Sequence, residues 1–489
     1  MGIKLRKLDR AIKSAVTYEE WHAACAEHDR VSGADEWKEV DHSPYYDYEL
    51  IRTRLSEIRQ ARQRNDVNQL CFHLQEGLHG NLGNISNPVL YTKSKLGTKR
   101  LIETYLNEVA DALHFVCDND FKEKDFKDKL DFFETTGHAY GQSALMLSGG
   151  ATLGLFHMGV LKALHEADED LVPSVISGSS AGSIMAGVVG THTDDELHEM
   201  LDPNNLSLEA YKHIGWKGLL GGKPVLDGDH LEACLESNIK DMTFEEAHKA
   251  TGRQINITVS PFDRHQEARL LNWKTSPHVL IRKAVLASSA VPAIFPPVTL
   301  WAKNVHGEKV PYIPTRKWVD GSVKDDLPVF RLSRLYGVNH TIVSQTNPHV
   351  VPFISRNGDT PKAGNLAWAF AAKNLQLNAN LGLELIQKRI KTNEIALLLD
   401  KAQSVMKQKY IGDINLIPPR KASNLFRVLK NPTIEDVANF IETGERATWP
   451  RLDMIRNTTQ ISRTFTECLA KLDAQETEKL DRLKLVSVS

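Results

Sequence analysis

The sequence predicts an α/β protein in three parts. A three-layer domain with a mainly parallel sheet is expected over residues 141–353. An α-helical domain precedes it over residues 1–140, and a mostly helical extension follows over residues 354–489. Short apolar strands alternate with helices through the middle of the chain, and two of them run straight into glycine-rich turns that open helices. Residues 17–116 carry apolar side chains three and four positions apart, the spacing of helices with one buried face. The same spacing returns over residues 364–410, in Leu366, Trp368, Phe370, Leu375, Leu377, Leu381 and Ile386.

The two glycine-rich turns organise the middle domain. Leu145 to Leu147 form an uninterrupted apolar run, as for a strand covered on both faces, and Ser148-Gly149-Gly150-Ala151-Thr152-Leu153-Gly154 follows. This turn can expose backbone N–H groups, and the helix expected from Leu155 to His165 aims its positive end at the same place. Gly149 and Gly154 have the spacing of a phosphate loop, but Leu155 and Phe156 stand where Lys and Ser/Thr are needed. Ala151 breaks the dinucleotide pattern Gly-x-Gly-x-x-Gly. The second turn, Gly178-Ser179-Ser180-Ala181-Gly182, follows Val175-Ile176-Ser177 and fits Gly-x-Ser-x-Gly. Small residues around Ser180 permit a cramped strand-to-helix elbow that lifts the hydroxyl out of the sheet. One turn thus offers donors for an oxyanion and the other a nucleophile, the two requirements of acyl transfer. Leu171 to Gly190 is long and uncharged, yet its serines and glycines suit strand, turn and helix rather than a membrane span.

A third piece lies downstream. Trp318-Val319-Asp320-Gly321-Ser322 delivers a carboxylate at a turn before Leu327-Pro328, and Ala287-Ser288-Ser289-Ala290-Val291-Pro292-Ala293-Ile294-Phe295-Pro296-Pro297 stands ahead of it. In this order the pieces resemble the patatin-like phospholipase family, whose members use a Ser-Asp dyad without a histidine. The resemblance implies Ser180 as nucleophile and Asp320 as its base. It implies the backbone of Gly149, Gly150 and Ala151 as the oxyanion hole, and Gly178 and Gly182 as the flanks of the elbow. It implies a serine acyl hydrolase that forms an acyl-enzyme and needs no cofactor or metal. An unperturbed aspartate, with pKa about 4, is a poor base, so the reading asks for a buried carboxyl. The family's usual turn has three glycines and a basic residue before the last glycine; here Ala151 and Leu153 occupy those places. An apolar residue there resembles the triacylglycerol lipase branch of the family.

The rest of the chain follows in order. Residues 1–16 show no signal peptide, and Arg6 occupies the Ser/Thr place of the myristoylation pattern. Leu5, Leu8, Ile12 and Ala15 share one helical face, expected to pack on the protein in preference to lying on a membrane surface. Thr17-Tyr18-Glu19-Glu20 reads as a capping box, and Asp47 to Arg62 and Thr98 to Val116 read as helices. His73 and His79 lack the spacing of zinc ligands. Leu78-His79-Gly80-Asn81-Leu82-Gly83, Asn87-Pro88-Val89-Leu90-Tyr91 and Gly97-Thr98-Lys99-Arg100-Leu101-Ile102-Glu103 resemble the domain that precedes the patatin-like domain in fungal and plant triacylglycerol lipases. Residues 118–133 are densely charged and read as a solvated face or linker.

After the elbow, Thr243-Phe244-Glu245-Glu246 is a second capping box, and Gly218 to Pro224 is an apolar loop that suits a lid or acyl entrance and a plain surface loop equally. Ile255 to Val259 and Thr341 to Gln345 read as strands, and His349 as a loop histidine. Gly412 to Pro418 reads as a strand, and Gly444 to Pro450 as the cap of one helix and the lead into another; both segments again resemble the lipase branch. The last dozen residues are expected to fray.

The formal charge of −2 over 489 residues implies no bulk attraction to nucleic acid or to an anionic membrane. Five scattered cysteines suit a reducing, intracellular compartment, cytoplasmic or peripheral on a membrane or lipid droplet. The partner implied is a lipid at such a surface. Transfer of the acyl group to a lysolipid, a preference for phospholipids, and a non-catalytic lipid-surface scaffold remain the competing readings.

Overall fold

A computed structural model describes residues 2–207, 210, 212, 226–263, 266–292, 294–323, 325–347, 351, 411–419 and 431–488. The chain falls into two compact units. One gathers Met1–Ser143, Leu335–His340 and Trp449–Ser489, and the other Ala144–Arg334 and Thr341–Thr448. The loop Gly218 to Pro224, the apolar stretch 364–410 and His349 lie outside the described residues. Among the described residues no helix is long and apolar enough to cross a membrane.

The first unit is helical. Its helices are α1 (Gly2–Ser14), α2 (Tyr18–Ser32), α3 (Ala34–Glu39), α4 (Tyr48–Gln63), α5 (Val67–Gly77), α6 (Arg100–Asp118) and α7 (Phe126–Tyr140), with a long helix Leu452–Val488 at the end of the chain. Side-chain caps start α2 and α4 where the sequence places them. Thr17 Oγ1 accepts from Glu20 N–H (3.3 Å), and Asp47 Oδ1 accepts from Leu50 N–H (3.0 Å). In α6, Leu101, Ile102, Tyr105, Val109, Ala112 and Leu113 are all buried, one face of a 3.6-residue period. α1 packs along α2, with Lys4 paired to Glu27 at 2.7 Å.

Two expectations fail in this unit. Residues 118–125 are largely exposed, but the solvated face or linker expected over 118–133 stops there, because α7 begins at Phe126 and buries Lys129, Phe132 and Phe133. The Lys129 ammonium donates to the Cys117 and Asn119 carbonyls (3.2 and 3.1 Å). Its stem packs as an apolar chain while its head satisfies carbonyls at the end of α6. The last dozen residues also continue a helix, to Val488.

The second unit is built on a seven-stranded sheet. Its strands are β1 (Gln142–Leu147), β2 (Val175–Gly178), β3 (Gln254–Pro261), β4 (Arg269–Leu271), β7 (Trp318–Asp320), β8 (Val338–Ser344) and β9 (Ile414–Leu416). The order is β4-β3-β2-β1-β8-β9, with β7 also on β3; β5 (Trp301–Lys303) and β6 (Lys309–Pro311) form a separate pair. β1, β2 and β3 run parallel, as do β8 and β9, while β4 and β7 are antiparallel to β3. Every residue of β2 is buried, as is each of β1 after Gln142.

Helices connect these strands: α8 (Phe156–Ala167), α9 (Ala181–Thr191), α10 (Asp194–Met200), α11 (Gly228–Asn238), α12 (Phe244–Thr251), α13 (Ile281–Ser289), α14 (Val329–Tyr336) and α15 (Ile434–Thr448). The second capping box is complete at α12, where Thr243 and Glu246 bond each other's N–H groups (2.9 and 3.2 Å). α9 packs on β2 and β3, and α13 on β3 and β7. Gly444 does not cap a helix; it lies inside α15, where a β-carbon would stand 2.4 Å from Phe156 O and 2.8 Å from Gly159 Cα. The missing side chains let the α8 and α15 backbones touch.

Candidate active site

β1 and β2 lie side by side, with Leu147 opposite Gly178, so their two turns emerge together from one end of the sheet. Ser179 N–H donates to Leu147 C=O (3.1 Å), which locks the second turn against the end of β1. The elbow is as cramped as its composition implies. A β-carbon at Gly178 would lie 2.4 Å from Gly182 O, and one at Gly182 would lie 2.1 Å from Leu147 O.

Ser180 sits at the elbow with φ +52° and ψ −124°, a backbone state that costs a non-glycine residue about 1–3 kcal/mol and persists only where the surroundings impose it. Ser180 N–H donates to Ser288 Oγ (3.0 Å), whose hydroxyl donates to Thr258 C=O (2.8 Å). The Ser183 hydroxyl donates to Ser180 C=O (2.6 Å). Ser180 is buried yet directly precedes α9, whose amino-terminal end faces it.

The first turn continues as a 3-10 turn, Ala151–Leu155, before α8. Ala151 has φ +48°, the left-handed region in which a glycine is at ease and an alanine is strained. One of the three expected donors is already engaged: Gly149 N–H donates to Asp326 Oδ1 (2.9 Å). Gly150 and Ala151 N–H make no such bond among the described residues. Leu153 is buried.

Asp320 ends β7 opposite Val259 of β3 and is wholly buried. Its Oδ1 accepts from Ser322 N–H (2.8 Å), and its Oδ2 has no hydrogen-bond partner among the described residues. Glycine follows it because a β-carbon at Gly321 would strike Thr258 O at 2.0 Å. Ser180 and Ser322, the residue whose N–H holds Asp320, both flank Gly149, where a β-carbon would lie 3.2 Å from Ser180 Cβ and 3.3 Å from Ser322 Cβ. No hydrogen bond joins Ser180 Oγ to Asp320 Oδ2.

The structure adds side chains that the motifs did not single out. Asp326 accepts from Gly149 N–H, and its C=O accepts from the Ser179 hydroxyl (3.1 Å). Wholly buried His157 holds Ser148 C=O (3.0 Å) and the Ser344 hydroxyl (2.6 Å). Burial pushes the imidazole down to about 4, so it is neutral at pH 7. The available signals were faint: a carboxylate immediately before Leu327-Pro328, and one histidine near the start of an apolar helix. A largely apolar pocket adjoins both turns; Ala151, Leu155, Ala181, Met185, Leu206 and Leu235 are among its walls. Asn238 clamps the Ser207 backbone from both sides (2.9 Å each) and so holds one wall in place.

The family model described as patatin-like phospholipase matches residues 145–332, and a domain of unknown function (DUF3336) matches residues 3–138. The chain is 36% identical over 479 residues to triacylglycerol lipase SDP1L of Arabidopsis thaliana, covering 94% of this chain and 58% of that protein. It is 36% identical over 477 residues to triacylglycerol lipase 4 of Saccharomyces cerevisiae, covering 91% and 50%. With triacylglycerol lipase ptl2 of Schizosaccharomyces pombe it shares 33% over 476 residues, covering 92% and 73%. The chain thus spans only about half the length of the first two of these relatives. A parallel sheet whose two adjacent turns carry glycines and an elbow serine is what the family model spans here, and the chain belongs to the patatin-like phospholipase family.

Proposed function

We propose that this chain is a serine acyl hydrolase that cleaves fatty-acyl esters of triacylglycerol or related acylglycerols through Ser180 and Asp320. One observation carries the reading: a serine in imposed, strained backbone shares a turn cluster with a buried carboxyl oxygen that lacks a partner among the described residues. Ser180 Oγ attacks the ester carbonyl carbon as Asp320 Oδ2 takes its proton. Gly150 and Ala151 N–H and the amino-terminal end of α9 receive the oxyanion; Gly149 N–H is spoken for by Asp326. Asp320 returns the proton to the departing glycerol oxygen as the C–O bond breaks, leaving an acyl-enzyme. Water, deprotonated by the same carboxylate, attacks that ester, and fatty acid leaves as Ser180 regains its proton.

Buried, apolar Leu153 leaves this part of the turn without a basic side chain, which favours a neutral acylglycerol over an anionic phospholipid. The relatives named triacylglycerol lipase support the same substrate class. Action at a lipid surface follows from such a substrate, and five buried, free cysteines suit a reducing compartment. Triolein, phospholipid vesicles and p-nitrophenyl butyrate offered side by side, with a lysolipid acceptor present in a parallel reaction, test the reading. Triolein is expected to be hydrolysed fastest, with free fatty acid as product. Faster phospholipid cleavage or dominant transfer to lysolipid reassigns the substrate or acceptor. No turnover together with no fluorophosphonate labelling leaves a lipid-surface scaffold.

Three substitutions probe the parts separately. Gly150→Val places a β-carbon 2.3 Å from Thr346 Oγ1 and displaces the proposed donors, so kcat on p-nitrophenyl butyrate is expected to fall about a hundredfold or more. Ser148→Ala is expected to cost much less, and equal losses in the two variants exclude Gly150 as a donor. Leu206→Trp narrows the apolar pocket from a half-exposed wall position. If the acyl chain lies there, kcat/KM for p-nitrophenyl palmitate drops about tenfold relative to the butyrate ester. An unchanged ratio removes the pocket from the acyl path.

A further inference from the structure

The Ser148–Gly149 peptide is held at both of its polar atoms by buried side chains that the acyl-transfer steps do not use. On one edge, His157 Nε2 lies 3.0 Å from Ser148 O. On the other, Gly149 N–H donates to Asp326 Oδ1 at 2.9 Å. A carbonyl oxygen only accepts, so Nε2 carries the imidazole proton, and Nδ1 accepts from the Ser344 hydroxyl at 2.6 Å. Burial disfavours a second proton on the ring, which keeps this tautomer at neutral pH. Ser344 also takes the Ser148 N–H on its own C=O (3.1 Å), so ring and turn share one anchor. Asp326 ties in the second turn, since its C=O accepts from the Ser179 hydroxyl (3.1 Å).

A trans peptide presents its C=O and N–H in opposite directions within one plane, so holding both fixes the rotation of that plane. Gly149-Gly150 has no intrinsic rigidity, and an oxyanion hole works only if its donors are already oriented. The stiffness must therefore come from outside the turn. We propose that His157 and Asp326 are a pair of positioning residues that pin the Ser148–Gly149 peptide and so aim the Gly150 and Ala151 N–H groups at the oxyanion. This rests on the acyl-transfer reading of the site.

The test uses the purified full chain with p-nitrophenyl butyrate and a fluorophosphonate probe. Asp326→Ala and His157→Leu each release one edge of the peptide. Each is expected to lower kcat and the labelling rate about a hundredfold, the cost of a misplaced catalytic group, with KM changed less than about threefold. The double variant is expected to lose little more than either single variant, because one peptide is freed in all three. Asp326→Asn and His157→Gln restore an acceptor and a donor and are expected to recover to within about tenfold of the parent. If either non-polar variant fails to fold, Ser344→Ala removes only the hydroxyl that orients the ring, and its kcat is expected to fall about fivefold. Unchanged kcat in folded variants, single losses that multiply in the double variant, or Asn and Gln variants as damaged as Ala and Leu overturn the inference. Ser180→Ala runs beside them. Activity surviving in that control overturns the acyl-transfer reading itself, whereas a dead control leaves the other variants to judge the clamp alone.

Discussion

Ser180→Ala is expected to abolish ester hydrolysis and fluorophosphonate labelling while the protein stays folded. Alanine keeps the β-carbon, so the strain of the φ +52° backbone is the same before and after the change. The bonds that hold the elbow use backbone atoms of residue 180: its N–H on Ser288 Oγ and its C=O under the Ser183 hydroxyl. They survive the substitution, and the melting temperature should barely move. What is lost is the atom proposed to attack the carbonyl. Removing the nucleophile of a serine hydrolase leaves only the help of the oxyanion site, so kcat should fall by at least about 10⁴-fold. Wild-type activity in a folded Ser180→Ala protein ends the proposed chemistry.

Asp320→Asn should come close to the same loss. An amide oxygen can still accept the Ser322 N–H, so the turn after β7 keeps its bond. The other carboxyl oxygen becomes an NH₂ in a wholly buried place where no partner is described, an orphaned donor that costs about 1–3 kcal/mol of stability. The amide cannot take the serine proton at neutral pH, and turnover should drop about 10⁴-fold. His157→Gln and His349→Gln should stay far above that floor. Both His157 ring nitrogens are committed to Ser148 and Ser344, and the ring is neutral at pH 7. A single histidine change that erases activity as thoroughly as Asp320→Asn, in a folded protein, replaces the dyad with a Ser-His-Asp triad.

These two substitutions rest on residues visible in the sequence, and the reason is local. A strand that ends in a cramped elbow needs small residues at fixed offsets, so Gly178, Ser180 and Gly182 announce themselves within five positions. A glycine after a strand-ending aspartate does the same at Asp320 and Gly321. The helices of the first unit were legible for equally local reasons, a cap such as Asp47 followed by apolar residues at helical spacing. Charge density misled at residues 126–133, because a lysine with an apolar stem can be buried once its head finds helix-end carbonyls, and composition does not say whether it does. Gly444 misled in the same way, since a glycine required by a neighbouring helix looks like one required by a helix end.

The sequence alone therefore determined the two turns, the places of the serine and the carboxylate on which the proposed chemistry rests, and the alternation of strands and helices. Only the tertiary structure decided which backbone N–H groups are free to act. Gly149 and Asp326 lie 177 residues apart in the chain, and His157 meets Ser344 across 187. No spacing rule links such positions. They come together because β7 adds antiparallel to β3 while β8 lies beside β1, and that pairing carries Asp326 and Ser344 to the ends of the two turns.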